Sequence, residues 1–404
     1  MTVRTVAILW VAIALALIFA WSSVSSGTGH ALLKAGPVRR LGRRYRDLWL
    51  RGLLWGASWP HLIDRLQRVH RAPVEQTPFD MVWQDGSATL RRLRGARKRP
   101  AVLLVHALVS RPWILDLAPG HSLVGALAGA GFDVFVLDWG DAGRADSRRD
   151  LAACVATLLQ TEERVLAEAG TPAVHLAGYC SGATLCLIRL GGWPHDRIAS
   201  FAAIAAPVDL AVPGGMRTMM THKLLKPVLL IDADGCVSAA AIRESFHALR
   251  PQVFRSVTRA VRRRRDPEYR RIYDPLSRWA YEQRRIPGAL FFDTVELYRT
   301  NALYEGRMSV EGRAIDLSSV RTPILVALAI RDHIVPGASS QALGSVLEVE
   351  TLACPSGHVS MLSGEGGREV LWPGLTQFFH RHDDKPPAAS SASKRRKPKR
   401  VGPT

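Results

Sequence analysis

The sequence predicts an α/β protein built on a mostly parallel, buried sheet, and three observations point that way. Apolar runs of four to six residues, broken only by His175, recur along the chain, at 101–105, 134–137, 173–177, 201–205 and 324–329. Helix-length stretches such as 122–130 and 148–168 separate them. A strand-like run also leads, at 178–182, into a turn with glycine on both sides and a helical pattern beyond it. Strands hidden on both faces read as unbroken apolar runs, and parallel neighbours need a crossover helix between them.

The first element is an uncharged stretch, Val6 to Trp21. It approaches the ~20 residues that cross a bilayer as a helix. It also exceeds the ~7–15-residue core of a cleaved signal, and only a poor small-residue site (Val24, Ser26) follows it. Residues 1–26 are therefore expected to be a retained membrane helix, with cleavage as the alternative. Only Arg4 precedes the span, whereas Lys34, Arg39, Arg40, Arg43, Arg44, Arg46 and Arg51 follow it. Cations gather on the cytoplasmic side of such helices, which places the body on the cytoplasmic face of the membrane.

Residues 27–76 are basic and carry Trp49, Trp55 and Trp59 at amphipathic spacing, as expected of a linker. From 77 to 382 the pattern is that of a catalytic domain, opening with a hairpin around Asp85-Gly86. The block from about 210 to 314 breaks the strand–helix rhythm, reads as helical, and is expected to be a cap over the sheet. Residues 383–404, with Pro and Ser interleaved by Lys and Arg, are expected to be disordered.

Composition narrows the class. The chain has 404 residues, 47% hydrophobic and 22% charged, which is globular, and five cysteines are too few for a disulfide framework. The net charge of +19 is concentrated in 34–51, in 255–271 with its eight arginines, and in the tail. A nearly neutral body argues against a nucleic-acid-binding face. The basic runs read either as local contacts to anions or as solubilising segments.

The turn at 178–182 reads Gly178-Tyr179-Cys180-Ser181-Gly182, a strand-to-helix elbow with cysteine as the nucleophile. A bend this sharp leaves room only for glycine-sized flanks. It aims the Ser181 amide at the reacting carbonyl, and the helix N-terminus favours a thiolate. A small buried core cysteine is the plainer alternative. An acid and a base should follow in that order. Asp332 ends the strand at 324–329, and His358 follows the next strand. The second oxyanion donor is expected after the strand at 101–105, at the amide of Ala107 or Leu108. His106 and His175 are expected to pack, and Cys186 to lie in the core. No C-x-x-C or H-E-x-x-H occurs, so neither metal nor cofactor is expected.

Several stretches carry a resemblance. HALVSRPWILDLAPGHSLVGALAGAGFDVFVLDWG (106–140), the elbow GYCSGATLCL, AAPVDL (205–210), RDHIVPGASSQAL and SGHVSMLSG resemble segments of poly(3-hydroxyalkanoate) synthases, in the family's order. LYRTNALYEGRMSVEGRAIDLSSVRTPIL (297–325) is similar to the class III catalytic subunit in particular. The cap, with RRRRDPEYRR, departs from the acidic composition expected there, and the apolar N-terminus and basic tail are additions.

The resemblance implies an α/β-hydrolase fold and an acyltransferase that polymerises (R)-3-hydroxyacyl groups from their CoA thioesters. It implies Cys180 as nucleophile, His358 as its base and Asp332 as the group orienting the imidazole, or as the base for the second acyl unit's hydroxyl. CoA enters as substrate and a polyester leaves as product. The implied associations are a second synthase subunit or a homodimer, and a membrane or granule surface at the N-terminus. A thioesterase or esterase using the same triad is the alternative, and a non-catalytic tethered body a further one.

Overall fold

Eight strands hydrogen-bond into one sheet in the computed structural model, which describes residues 69–74, 77–93, 100–249, 263 and 265–383. These residues belong to the unit that begins at Val69; the preceding unit, Met1–Arg68, lies outside them. The expected anchor at 1–26, most of the 27–76 linker, most of the arginine run 255–271 and the tail beyond 383 therefore also lie outside the described residues. Among the described residues no helix is long and apolar enough to cross a membrane.

The strands are β1 (Asp80–Asp85), β2 (Ala88–Leu93), β3 (Ala101–Val105), β4 (Val134–Asp138), β5 (Val174–Tyr179), β6 (Ile198–Ile204), β7 (Ile324–Ala329) and β8 (Glu350–Cys354). Their spatial order is β1-β2-β4-β3-β5-β6-β7-β8. β2 pairs antiparallel with β1 and β4, and every other neighbouring pair is parallel. The apolar runs read from the sequence form the middle of this sheet. Every residue of β3, β4, β5, β6 and β7 is buried.

Helices cover both faces: α1 (Leu123–Gly129), α2 (Leu151–Ala169), α3 (Ser181–Gly192) and, at the end of the described chain, α10 (Trp372–His382). Two apolar cores result, one on each face of the sheet. Leu103, Leu158, Leu187 and Phe201 belong to one, and Val102, Leu127, Phe132 and Phe378 to the other. The Asp150 carboxylate caps α2 by accepting from the Ala153 amide at 2.8 Å. The buried Arg189 of α3 meets Glu162 of α2 at 2.7–2.9 Å, so the helix behind the elbow is pinned sideways. Removing one partner of such a buried pair costs about 3–5 kcal/mol.

The cap holds α4 (Gly215–Thr221), α5 (Ala239–Ala248), α6 (Pro267–Tyr281) and α7 (Gly288–Thr300), and the short α8 (Gly337–Gln341) and α9 (Ser360–Ser363) follow it. It is not purely helical as the sequence suggested. Cys236–Val237 pairs with Ile286–Pro287, and Ser309–Val310 with Arg313–Ala314, in two-residue antiparallel ladders too short to leave a periodic signal. Val237, Ile242, Ile286, Phe291 and Val295 give the cap a small core of its own. Arg284 ties it to the sheet: its fully buried guanidinium pairs with Asp138 at the end of β4 and donates to the Gly140 carbonyl at 2.6 Å.

The elbow's geometry rests on close backbone approach. A Cβ at Gly182 would lie 2.3 Å from the Val105 carbonyl oxygen and 2.5 Å from that of His106. A Cβ at Gly178 would lie 2.4 Å from Ala183 Cα. Gly182→Ala should therefore push α3 off the end of β3 and destabilise the fold by about 1–3 kcal/mol, the usual cost of overpacking. Gly129→Ala, where nothing lies within 4 Å, should be neutral or slightly stabilising. Thermal denaturation of the two variants checks this; equal melting temperatures would contradict it.

Candidate active site

Cys180 stands between β5 and α3 with φ 53° and ψ −126°, a left-handed conformation that a β-carbon disfavours. Its amide donates to the Ile204 carbonyl at 2.9 Å, and its carbonyl accepts from Ala183 and Thr184 at 2.9 and 3.3 Å. The neighbouring strand and the first turn of the helix thus hold the strained residue in place. Its thiol is half-buried, whereas Cys154, Cys186, Cys236 and Cys354 are buried. Burial pushes the thiols of Cys154, Cys186 and Cys354 above the usual value, which suits inert core residues.

His358, on the loop after β8, is buried and hydrogen-bonds Cys180 on one side and Asp332 on the other. Its Nδ1 lies 2.6 Å from Asp332 Oδ2. The Asp332 side chain is fully buried, and its Oδ1 accepts from the amides of Ile334 and Val335 at 2.9 Å each. Two backbone donors fix the carboxylate, and the carboxylate fixes the ring. The structure thus brings together Cys180, Asp332 and His358, which lie far apart in sequence. Burial disfavours charge on the His358 ring. The Cys180 thiolate, the hydrogen bonds to Asp332 and Cys180 and the Asp332 charge outweigh it and raise the pKa to about 10.

Ser181 opens α3, so its amide is free of an intrahelical partner and points past the thiol. The Leu108 amide donates to Ser181 Oγ at 3.0 Å. One of the two candidate oxyanion donors therefore lies beside the elbow and already carries a hydroxyl. Ala107 is buried in the apolar core on the α10 side of the sheet.

Aromatic residues frame the ring. Tyr179 lies between His106, stacked at 5.5 Å, and His358, at 5.1 Å, and donates to the His358 carbonyl at 3.3 Å. His106 bonds Ser110 at 2.9 Å, and burial followed by the Arg284 charge lowers its pKa to about 3, so it stays neutral. His175 spans Ser200 and Asp383 at 2.8 and 2.9 Å, far from the elbow along its strand. Tyr298 of α7 was not singled out by its sequence. Burial first, and then the Cys180 charge, push its hydroxyl upward, which locates it within electrostatic reach of the thiol. A slot lined by Leu210, Met216, Tyr298 and Val335 separates α4 and α7 from the Asp332 loop and holds about 10 Å³. Among the described residues no group of three or more His, Cys, Asp or Glu side chains is placed to hold a metal ion.

Comparison with known proteins agrees with this architecture. The model of the alpha/beta hydrolase family matches residues 102–370. A protein named poly(3-hydroxyalkanoate) polymerase subunit PhaC from Haloferax mediterranei is 26% identical over 328 residues, 78% of this chain and 66% of that protein. Proteins of the same name from Thiocystis violacea and Synechocystis are 27% and 28% identical. Those matches cover 70% and 73% of this chain and 81% and 82% of the relatives. With the family model spanning the parallel strands of the sheet from Val102 on, the elbow, Asp332 and His358, this chain belongs to the α/β hydrolase family.

Proposed function

We propose that this protein is an acyltransferase that polymerises (R)-3-hydroxyacyl units from CoA thioesters through an acyl group carried on Cys180. The relatives' printed name supports the reaction class, and one observation carries the chemistry: a buried imidazole bonded to a thiol and to a fixed carboxylate.

In this scheme the His358 ring, whose pKa is raised to about 10, carries the proton and the sulfur of Cys180 attacks as its anion. The thiolate attacks the thioester carbonyl. The sulfur–carbon bond to CoA then breaks, and CoA leaves as a thiol with the proton from His358. Acylation removes the negative charge that held this proton, so the ring is left neutral, with lower affinity for it. It can then take the proton of a second unit's hydroxyl as that oxygen attacks the acyl-cysteine. The new ester leaves, and the thiolate–imidazolium pair returns. Asp332 keeps Nδ1 engaged and Nε2 toward the chemistry.

The Ser181 amide is the first oxyanion donor in this scheme. Leu108 supplies the second once the Ser181 hydroxyl turns away from it. Tyr298 brings α7 within electrostatic reach of Cys180, so the cap is the part of the chain placed to enclose an acyl group there. When closed over the acyl-cysteine, it keeps water from ending the chain. The apolar stretch at 6–21 would hold this activity at the cytoplasmic face of a membrane or at a granule surface.

Incubation with (R)-3-hydroxybutyryl-CoA should release CoA together with insoluble polyester. Cys180→Ala should lose both by at least about a thousandfold. Free hydroxybutyrate without polymer would make the protein a hydrolase instead, and surviving CoA release in the variant would remove Cys180 as nucleophile. Charge coupling gives a second expectation. In Cys180→Ser and Cys180→Ala the thiolate is gone, so the His358 pKa should fall from about 10 toward the ordinary ~6.5. Titration of labelled histidine by NMR measures this, and an unchanged value in both variants would refute the ion pair.

A further inference from the structure

The cap carries an exposed tip that the catalytic reading does not use. Between α4 and the ladder strand at Cys236–Val237 the chain runs His222-Lys-Leu-Leu-Lys-Pro-Val-Leu-Leu-Ile231. The tip is built rather than loose. Leu225 donates to the His222 carbonyl at 2.9 Å, Leu229 to that of Lys226 at 3.0 Å, and Pro227–Leu230 forms a tight helical turn. Ile231 bridges Val237, and Arg299 of α7 donates to the Leu225 carbonyl at 3.3 Å.

The inward positions are already filled. Leu225, Leu230 and Ile231 pack on the cap's core of Val237, Ile242, Ile286, Phe291 and Val295. Leu224, Val228 and Leu229 consequently face solvent, at 81%, 63% and 76% exposure. Lys223 and Lys226, also exposed, stand among them. Neither forms an ion pair among the described residues, because nearby Asp232 and Asp234 are taken by Arg285 at 2.7 and 3.0 Å.

We propose that this tip, residues 222–231, is a lipid-docking element whose three aliphatic side chains enter the interface of an anionic membrane while Lys223 and Lys226 meet its headgroups. Aliphatic side chains interleaved with cations suit the boundary between acyl chains and headgroups, which such elements enter by ~5–10 Å. The two unpaired lysines select an anionic surface over an uncharged polyester. The uncharged stretch at 6–21 is a separate sequence feature that would bring the same chain to lipid.

The test is hydrogen exchange of the full chain, read at the amides of 222–231, with vesicles of phosphatidylcholine alone or mixed with phosphatidylglycerol. The local readout separates the tip from any other segment that carries the chain to the vesicle. Exchange at these amides should slow roughly tenfold with the anionic vesicles and little with phosphatidylcholine alone. Two double variants should lose the protection: Leu224→Ser with Leu229→Ser, and Lys223→Gln with Lys226→Gln. All four positions are exposed, so the fold should survive the changes. Unchanged exchange at the tip overturns the proposal, whether or not the chain sediments with vesicles. Equal protection by uncharged vesicles, or protection that grows with protein concentration in their absence, overturns it as well, the latter by showing that a second copy covers the tip.

Discussion

Val105 and His106 present their carbonyl oxygens to the first turn of α3 at a distance that no β-carbon at Gly182 would tolerate. That close approach is the constraint on which the rest of the site depends. It seats the start of the helix against the end of β3, and it places the Leu108 segment beside Ser181. Cys180 must then cover the remaining gap with a left-handed backbone. The strain is sustained by buried groups behind it: the Ile204 carbonyl, the Glu162–Arg189 pair and the two faces of the sheet. Were α3 free to shift, the thiol would relax away from His358.

Once the bend is fixed, charge does the rest. Burial ordinarily favours the neutral imidazole, and it lowers the pKa of His106, the other histidine packed on Tyr179. At His358 the electrostatic pull of the Cys180 sulfur and of the Asp332 carboxylate outweighs burial and raises the pKa. Two buried histidines that both pack on Tyr179 thus shift in opposite directions, because burial prevails at His106 and the flanking groups outweigh it at His358. The fixed carboxylate matters for a related reason. With Oδ1 saturated by two amides, only Oδ2 is left to meet the ring, so the ring has one orientation.

The sheet was legible in the sequence because buried strands advertise themselves as unbroken apolar runs, and the elbow because its glycines are a local steric requirement. The positions of Asp332 and His358, on the loops after β7 and β8, could be read from chain order, and the structure puts the two side chains in contact. Other features left no local trace. Asp138 ends β4 and Arg284 lies within the cap, far on in sequence, and neither has a neighbour that hints at the other. Tyr298 sits in a helix whose pattern explains it as packing. The bond from Leu108 to Ser181 depends on a side-chain rotamer, so the sequence could suggest which amides lie near the oxyanion but not that one of them is occupied. The cap's short ladders contain too few residues for any periodicity to register.

Sulfur at this elbow, where most family members with the same fold would use oxygen, has an energetic consequence for the proposed reaction. Transfer from CoA to Cys180 exchanges one thioester for another and is close to balanced, so the acyl-enzyme is not a sink. Transfer onward to a hydroxyl makes an oxygen ester, which is more stable, and the second step pulls the first. The same downhill step is open to water, whose hydroxyl differs little from that of the growing unit. In the proposed reaction, selectivity must therefore come from access to the acyl-cysteine and not from the triad. Arg284, buried against Asp138 at the end of β4, ties the cap to the sheet, so the part of the chain that would have to govern that access is held to the same framework that carries the elbow.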